Sequence, residues 1–395
     1  MAKIVIDQEK ITDPQALLEL CPFDALEWDN DYLSINAACK MCKMCVKKGP
    51  AGVFTFIEDE VVIIDKSQWQ GIVVYVDHMD GNIHPVTLEL IGKAKELAAK
   101  VNYPVYCLFM GYNIADKAQE LLQYGVDEVF VYDDEELKHF RIEPYAAVFE
   151  EFISKVKPSI ALVGGTTVGR SLAPRMAARF RTGLTADCTV LDVAENTDLA
   201  QIRPAFGGNI MAHIVTPNTR PQFATVRYKV FSPAEKTSSP TGKVTVCTIP
   251  KASLVSQIRV LQVKPKEKVK SIEDAEVIVV AGGGIKSSKD MEMLQVLADK
   301  LGGMVATTRP LIEAGFADPR LQIGLSGRTV KPKLIITCGV SGAVQFVAGM
   351  DSSENIIAIN TDENAPIFNV AHYGIIGDLY KIVPDLIERL SSNHE

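Results

Sequence analysis

Four of the eight cysteines in this 395-residue chain stand close together: Cys21, Cys39, Cys42 and Cys45. The other four, Cys107, Cys188, Cys247 and Cys338, are scattered in apolar surroundings and read as small core residues. The opening MAKIVIDQEK has no apolar leader segment and no cleavage site, so no secretory signal is expected. In a reducing compartment a dense thiol cluster points to metal rather than disulfides. Thiolates are soft ligands that suit iron of mixed valence. The spacing Cys39-x-x-Cys42-x-x-Cys45 lets a loop wrap an inorganic core with its N–H groups facing sulfur. An iron–sulfur cluster is the chemistry expected. Zinc is the alternative, although structural zinc prefers two separated pairs.

The same spacing matches the first three ligands of a bacterial ferredoxin run, which normally ends with a cysteine before proline. Here Cys45 is followed by VKKGP, with Gly49 where the fourth thiolate would sit. In two-cluster ferredoxins the last cysteine of each run serves the other cluster. One surviving site then needs three cysteines from one run and the Cys-Pro cysteine of the other. Cys21-Pro22 together with Cys39, Cys42 and Cys45 meets that need. The pattern predicts one [4Fe–4S] cluster in a ferredoxin-like module.

Glycine loops are the second feature with chemical potential. Gly282-Gly283-Gly284 follows the apolar run VIVVA (277–281) and precedes a helical stretch. Gly339-Val340-Ser341-Gly342-Ala343 also leads from a strand towards a helix, and Gly324-Leu325-Ser326-Gly327-Arg328-Thr329 mixes glycine, hydroxyls and a cation. Each is weak evidence for phosphate binding alone. Three such loops meeting at the carboxyl ends of parallel strands would suit a dinucleotide.

Alternating elements must position these loops. GIVVYV (71–76), VYCLFM (105–110), EVFVY (128–132) and IALVG (160–164) read as buried strands. Helices are predicted near 86–100, 114–123 and 143–156. A strand-rich, polar stretch covers about 189–251. The α/β pattern restarts with strand-like runs at 277–284, 334–340 and 356–360 and helices near 289–301 and 379–390. Strand–helix alternation implies parallel sheets covered on both faces. The expected division is a cysteine module at 1–66, an α/β domain at 67–263, a lysine-rich linker at 264–272 and a second α/β domain at 273–395. A net charge of −8 argues against nucleic acid as partner. The longest apolar stretch, 334–350, holds Ser341, Gln345 and several glycines, so no membrane insertion and a cytoplasmic location are expected. The six histidines are scattered and form no nucleophile–base motif, which suggests electron carriage rather than bond rearrangement.

Several longer stretches carry a family resemblance: TRPLIEAGF (308–316), IGLSGRTV (323–330), CGVSGAVQFVAGM (338–350), AINTDENAPIF (358–368) and GDLYKIVPD (377–385). In the preceding domain, GGTTVGRSLAPRMAARFRTGLTADCT (164–189) and RPAFGGNIMA (203–212) add to them. The chain resembles the alpha subunits of electron transfer flavoproteins, over nearly everything after residue 70. The resemblance implies a Rossmann-like, adenine nucleotide alpha hydrolase-like parallel-sheet domain and a doubly wound C-terminal domain that binds FAD. The N-terminal extension is similar to that of a subset engaged in flavin-based electron bifurcation.

By that resemblance Gly282, Gly283 and Gly284 form part of the cofactor cradle, and Thr308 and Arg309 contact FAD, with the guanidinium against the isoalloxazine. Ile323, Gly324, Leu325 and Ser326 line the ring, Ser326 bonding to its N5. Ser341, Gly342, Ala343, Val344, Gln345 and Phe346 wrap a helix start around the pyrophosphate and ribityl chain. Asn360, Asp378 and Leu379 hold the adenosine half. Asp187 and Arg203 are expected to be structural or interfacial. Two departures stand out: the family commonly has GGRG where this chain has Ala281 to Gly284, and His where this chain has Phe346. The first removes a cation, the second a donor beside the ring.

The resemblance also implies partners: a beta subunit carrying a second FAD, external ferredoxin, and an acyl-CoA dehydrogenase-like or enoyl-CoA (caffeyl-CoA) reductase. The expected role is an electron-transfer subunit that works in bifurcation. A non-bifurcating carrier for a lactate-type dehydrogenase is the nearer alternative. A redox-sensing or structural nucleotide-binding module is the alternative from another class.

Overall fold

The computed structural model describes residues 3–36, 38–57, 64–205, 210–264 and 271–392. The chain divides into a unit of residues 1–63 and a unit of residues 64–395.

In the first unit β1 (Lys3–Ile6) pairs antiparallel with β4 (Phe54–Ile57). Between them lie α1 (Pro14–Leu18), the hairpin β2 (Leu26–Asp29) and β3 (Tyr32–Ile35), and α2 (Met44–Lys48). The hairpin turns on Asn30 and Asp31, both at positive φ, as a two-residue primed turn demands. Asp13 caps α1 by accepting from the Ala16 amide at 3.2 Å. Leu17, Leu26, Leu33, Val53 and Phe54 form a small buried core.

The second unit opens with β5 (Ile72–Tyr75), the short hairpin β6 (His78–Met79) and β7 (Asn82–Ile83), and α3 (Pro85–Val101). Next come β8 (Val105–Gly111), α4 (Ala118–Leu122), β9 (Glu128–Asp133), α5 (Ile142–Val156), β10 (Ile160–Gly164) and α6 (Thr167–Arg179). They are followed by β11 (Leu184–Thr185), β12 (Val190–Val193), β13 (Leu199–Ala205), β14 (Ile210–Ile214), β15 (Gln222–Val226) and β16 (Lys243–Cys247). The parallel sheet has the order β11-β15-β10-β5-β8-β9-β16, while β12-β13-β14 form a separate antiparallel sheet. In β5, Ile72 and Val74 join one core with α3, and Val73 and Tyr75 the other with α5 and α6. That alternation is the period of two expressed in a strand covered on both faces.

The C-terminal part contains β17 (Val277–Ala281), α7 (Met291–Lys300), β18 (Met304–Thr307), α8 (Arg309–Glu313), β19 (Leu334–Cys338) and α9 (Val344–Val347). It ends with β20 (Ile356–Asn360), β21 (Tyr373–Ile376) and α10 (Leu379–Ser392). All its strand pairs are parallel, in the order β18-β17-β19-β20-β21. The chain leaves β17 to one side for β18 and to the other for β19. The topological switch point therefore lies between β17 and β19, where α/β sheets bind ligands.

Most expected elements lie within two residues of their predicted bounds. The stretch 114–123 is a 3₁₀ turn followed by the short α4, and a 3₁₀ turn also precedes α7. β18 and β21 go beyond the strands expected; each is four residues long and only partly buried. Of the expected linker at 264–272, residues 265–270 lie outside those described, as do 206–209 within the stretch 203–212. Cys107, Cys188 and Cys338 are fully buried. Among the described residues no helix is long and apolar enough to cross a membrane.

One buried acid yields a pH prediction. Glu89 on α3 is 5% exposed, and its carboxylate accepts the Lys229 amide at 2.9 and 3.2 Å. Burial pushes its pKa up from 4.5 to about 7, against the pull of Lys229 and Lys331. The folded state thus holds a proton that the unfolded state has released. Stability falls as pH rises between these two values and levels off above the upper one. Glu89→Gln keeps an acceptor for Lys229 and removes the charge. Its thermal midpoint should match the parent near pH 4.5 and exceed it at pH 8, by roughly 2–4 °C per kcal/mol recovered. Parallel melting curves for the two proteins across that range would refute the assignment.

Candidate functional site

The switch point opens into a cleft of about 860 Å³. That size falls within the range of sites that enclose a cofactor. The loop after β17 supplies Gly283, Gly284 and Lys286, and after β18 come Thr308 and, from α8, Arg309 and Glu313. Residues Gln322, Ile323, Gly324, Leu325 and Ser326 form one wall. Gly339, Val340, Ser341, Ala343, Gln345 and Phe346 follow β19, while Asn360, Asp362, Asp378, Leu379 and Tyr380 come from the ends of β20 and β21.

Three residues predicted for the cradle do not line it: Gly282, Gly342 and Val344. Gly282 lies where β17 and β19 meet, and a Cβ there would come within 2.3 Å of the Gly339 carbonyl oxygen. It brings the two loops together. Gly342, at φ +86, makes the corner of the β19 loop. Val344 sits on α9 and is largely exposed. Sequence reasoning missed Lys286, Glu313, Gln322, Asp362 and Tyr380. Glu313, Asp362 and Tyr380 lie within recognised stretches and Lys286 and Gln322 beside them, and nothing in their own spacing separates them from surface polar residues.

The helix expected after Gly342 is a single turn, α9, and α7 begins seven residues beyond Gly284. Helix dipoles therefore add little here. Backbone amides take their place: among the described residues, the N–H groups of Gly283, Ser341, Gly342 and Ala343 have no acceptor in the protein. Of these, Gly283, Ser341 and Ala343 line the cleft, and unpaired amides there make an anion nest. The Thr308 hydroxyl is buried without a partner among the described residues. Such a group is costly unless a ligand satisfies it.

The wall formed by residues Gln322 to Ser326 is built tightly. Gln322 Nε2 donates to Ser326 Oγ at 2.7 Å. The Ser326 proton then remains free for another acceptor. The Leu325 amide donates to the Gln345 carbonyl at 2.9 Å. Phe346 is buried in the core beneath. Arg309 Nε donates to Glu313 Oε1 at 2.8 Å, with both side chains largely exposed. Asn360 Nδ2 donates to the Val340 carbonyl at 2.8 Å and so ties the β19 and β20 loops together.

The preceding domain reaches this wall. Arg227 Nη1 donates to the Gly327 carbonyl at 3.3 Å while Nη2 pairs with Asp187 at 2.8 Å. Asp187 also pairs with Arg170 at 3.1 Å. Burial raises the Asp187 pKa, but the two guanidinium groups outweigh it and hold the carboxyl below its ordinary value. Arg203 donates to the Ala186 carbonyl at 2.8 Å. Asp187 thus serves structure beside the wall through Arg227, and Arg203 ties its strand to the Ala186 carbonyl.

In the N-terminal unit Cys21, Cys39, Cys42 and Cys45 line one cavity, together with Pro22, Ile35 and Met44. Met41 and Lys43 both have positive φ, so the backbone coils between the cysteines. The Ala25 amide donates to Cys21 Sγ at 3.4 Å. Burial pushes the Cys45 thiol up, with smaller contributions from Cys39 and Cys42. Among the described residues, no group of three or more His, Cys, Asp or Glu side chains stands close enough to hold a metal ion.

Comparison with known proteins agrees with this geometry. The electron transfer flavoprotein domain matches residues 72–252, and the electron transfer flavoprotein FAD-binding domain matches residues 271–351. The chain is 64% identical over 389 residues to the lactate dehydrogenase (NAD(+),ferredoxin) subunit LctC of Acetobacterium woodii, covering 98% of this chain and 93% of that one. It is 43% identical over 336 residues to the electron transfer flavoprotein subunit alpha of Clostridium acetobutylicum, covering 83% of this chain and 99% of the relative. Protein FixB of Rhizobium meliloti is 35% identical over 326 residues, covering 81% and 92% respectively. With its domains matched in order and its loops gathered at one cleft, the chain belongs to the electron transfer flavoprotein alpha-subunit family.

Proposed function

We propose that this chain carries electrons on an FAD held in the switch-point cleft and serves a lactate-type dehydrogenase. The observation that carries the reading is the cleft itself: unpaired amides at its β17–β19 end, an unpartnered Thr308 hydroxyl, and Ser326 with a proton to give. The flavin supplies the two-electron chemistry. The protein's part is to bind the diphosphate, fix the ring against the Ile323–Ser326 wall and limit water. A beta subunit with its own nucleotide site is the partner in that arrangement.

The partner we infer differs from the first expectation. The relative LctC, whose alignment covers 98% of this chain, is named for lactate dehydrogenase, not for an enoyl-CoA reductase. Its name also includes NAD(+) and ferredoxin. That favours a second reading, in which lactate oxidation is coupled to ferredoxin through the N-terminal unit.

For that unit we propose one [4Fe–4S] cluster on Cys21, Cys39, Cys42 and Cys45. The support is the shared cavity, the coiled loop and the amide aimed at Cys21. A cubane spaces its thiolates farther apart than a single ion does, so the cysteines need not crowd one point.

The test is anaerobic co-purification with native partners, with flavin and iron measured per chain. Bound flavin and lactate-dependent reduction are expected. If NAD⁺ is reduced by lactate without ferredoxin, the chain is a simple carrier. A strict requirement for reduced ferredoxin would establish coupling. Colourless protein without flavin would leave only the nucleotide-binding module.

A further inference from the structure

We infer that Lys286 is the cation that faces the diphosphate of the bound dinucleotide, in place of the arginine absent at position 283. The inference rests on the FAD reading and deepens it. The diphosphate of a dinucleotide sits at the switch point, between the loops that follow β17 and β19. Two basic side chains line the cleft, Lys286 and Arg309. Arg309 follows β18, one strand away from the switch point, and its Nε is already bonded to Glu313 at 2.8 Å. Lys286 follows β17, on the same loop as the unpaired Gly283 amide.

Among the described residues Lys286 forms no ion pair within 4.0 Å. Its ammonium lies over the Tyr380 ring, 5.0 Å from the centroid. The backbone around it is fixed. The Lys286 amide donates to Tyr380 Oη at 2.9 Å, and that hydroxyl donates to Asp290 Oδ2 at 2.9 Å. Asp290 in turn accepts the Ser287 amide at 2.9 Å. The tether holds the lysine stem at the cleft and leaves its charge unspent. At Gly283, which also lines the cleft, a Cβ would meet nothing within 4 Å, so a side chain can be started there without displacing a neighbour.

The test uses the full chain with its beta subunit, stripped of flavin and titrated with FAD at two salt concentrations. Lys286→Met should weaken FAD binding about tenfold at low salt, as expected for one charge-assisted contact. The salt dependence of its affinity should be shallower than the parent's. Lys286→Arg should keep near-parental affinity. Adding Gly283→Arg to Lys286→Met should restore most of the loss, because it returns a cation to the same space. The thermal midpoint of the flavin-free proteins should not differ. Equal FAD affinity for Lys286→Met and parent overturns the inference. So does a loss that Gly283→Arg does not repair and that tracks a lowered midpoint, which would mark Lys286 as a clamp for Tyr380. A parental complex that takes up no FAD at all brings down the underlying reading as well.

Discussion

Gly342→Ala should leave the protein folded and nearly free of flavin. Gly342 has φ +86, a region in which an alanine costs about 1–2 kcal/mol. Steric overlap adds more than that. A Cβ there would lie 2.2 Å from the Ile367 amide nitrogen and 2.5 Å from its Cα. Both are backbone atoms, and Ile367 is fully buried, so neither can swing aside. The β19 loop must retreat instead. Doing so breaks the bond from the Ile367 amide to the Ser341 carbonyl at 3.0 Å and disperses the unpaired amides of Ser341 to Ala343. Ile367 belongs to the C-terminal core, but the parallel strands themselves lie outside this corner, so the circular dichroism spectrum should persist. The flavin-to-protein ratio of the purified complex should fall by at least about tenfold, as a loss of a few kcal/mol dictates. Gly302→Ala is the control: it has φ +66 but open space around the added carbon. Equal flavin content in the two variants would show that steric closure at Ile367 does not matter.

The second large effect concerns iron. Cys45→Ala should lower the metal content from about four irons per chain to near none, because a cubane missing one protein thiolate is readily lost. Cys45 is half-buried in the cavity that the other three cysteines share. Cys107→Ala, a change at a fully buried strand position in the other unit, should keep all its iron. FAD content should be unchanged in both. Zinc in the parent, or iron that survives in Cys45→Ala, would contradict the cluster.

What could be read in advance follows from how local each signal is. That the four thiols gather at one cavity was legible because their spacing is a property of a few neighbouring residues. β5, β10, β17 and β20 were legible because burial on both faces writes a continuous apolar run into the sequence. β18 and β21 flank the C-terminal sheet, and neither is covered along its whole length: Met304 is half-buried, and Tyr373 and Ile376 are exposed. A four-residue run of that kind resembles a loop. Glycine loops announced a cleft at the strand ends, yet glycine does not reveal whether it lines that cleft. Gly282 and Gly342 shape the cradle from behind it, and that distinction depends on Gly339 and Ile367, the latter remote in sequence from both. Lys286, Gln322 and Tyr380 act through contacts across the sheet end, which no single stretch encodes. The N-terminal resemblance suggested a reductase partner, whereas the relative LctC is named for a lactate dehydrogenase. Partner choice lies on surfaces that short motifs do not sample.

The two parallel sheets each end on an unsatisfied margin. Among the described residues β16 pairs only with β9, and β21 only with β20. On these margins Val246, Tyr373 and Ile376 are 66, 64 and 63% exposed. Rows of open amides and carbonyls beside apolar side chains invite another chain to add a strand. When produced alone at high concentration, the chain is therefore prone to clump edge to edge. Co-production with whatever normally shields those margins is the remedy that the topology itself prescribes.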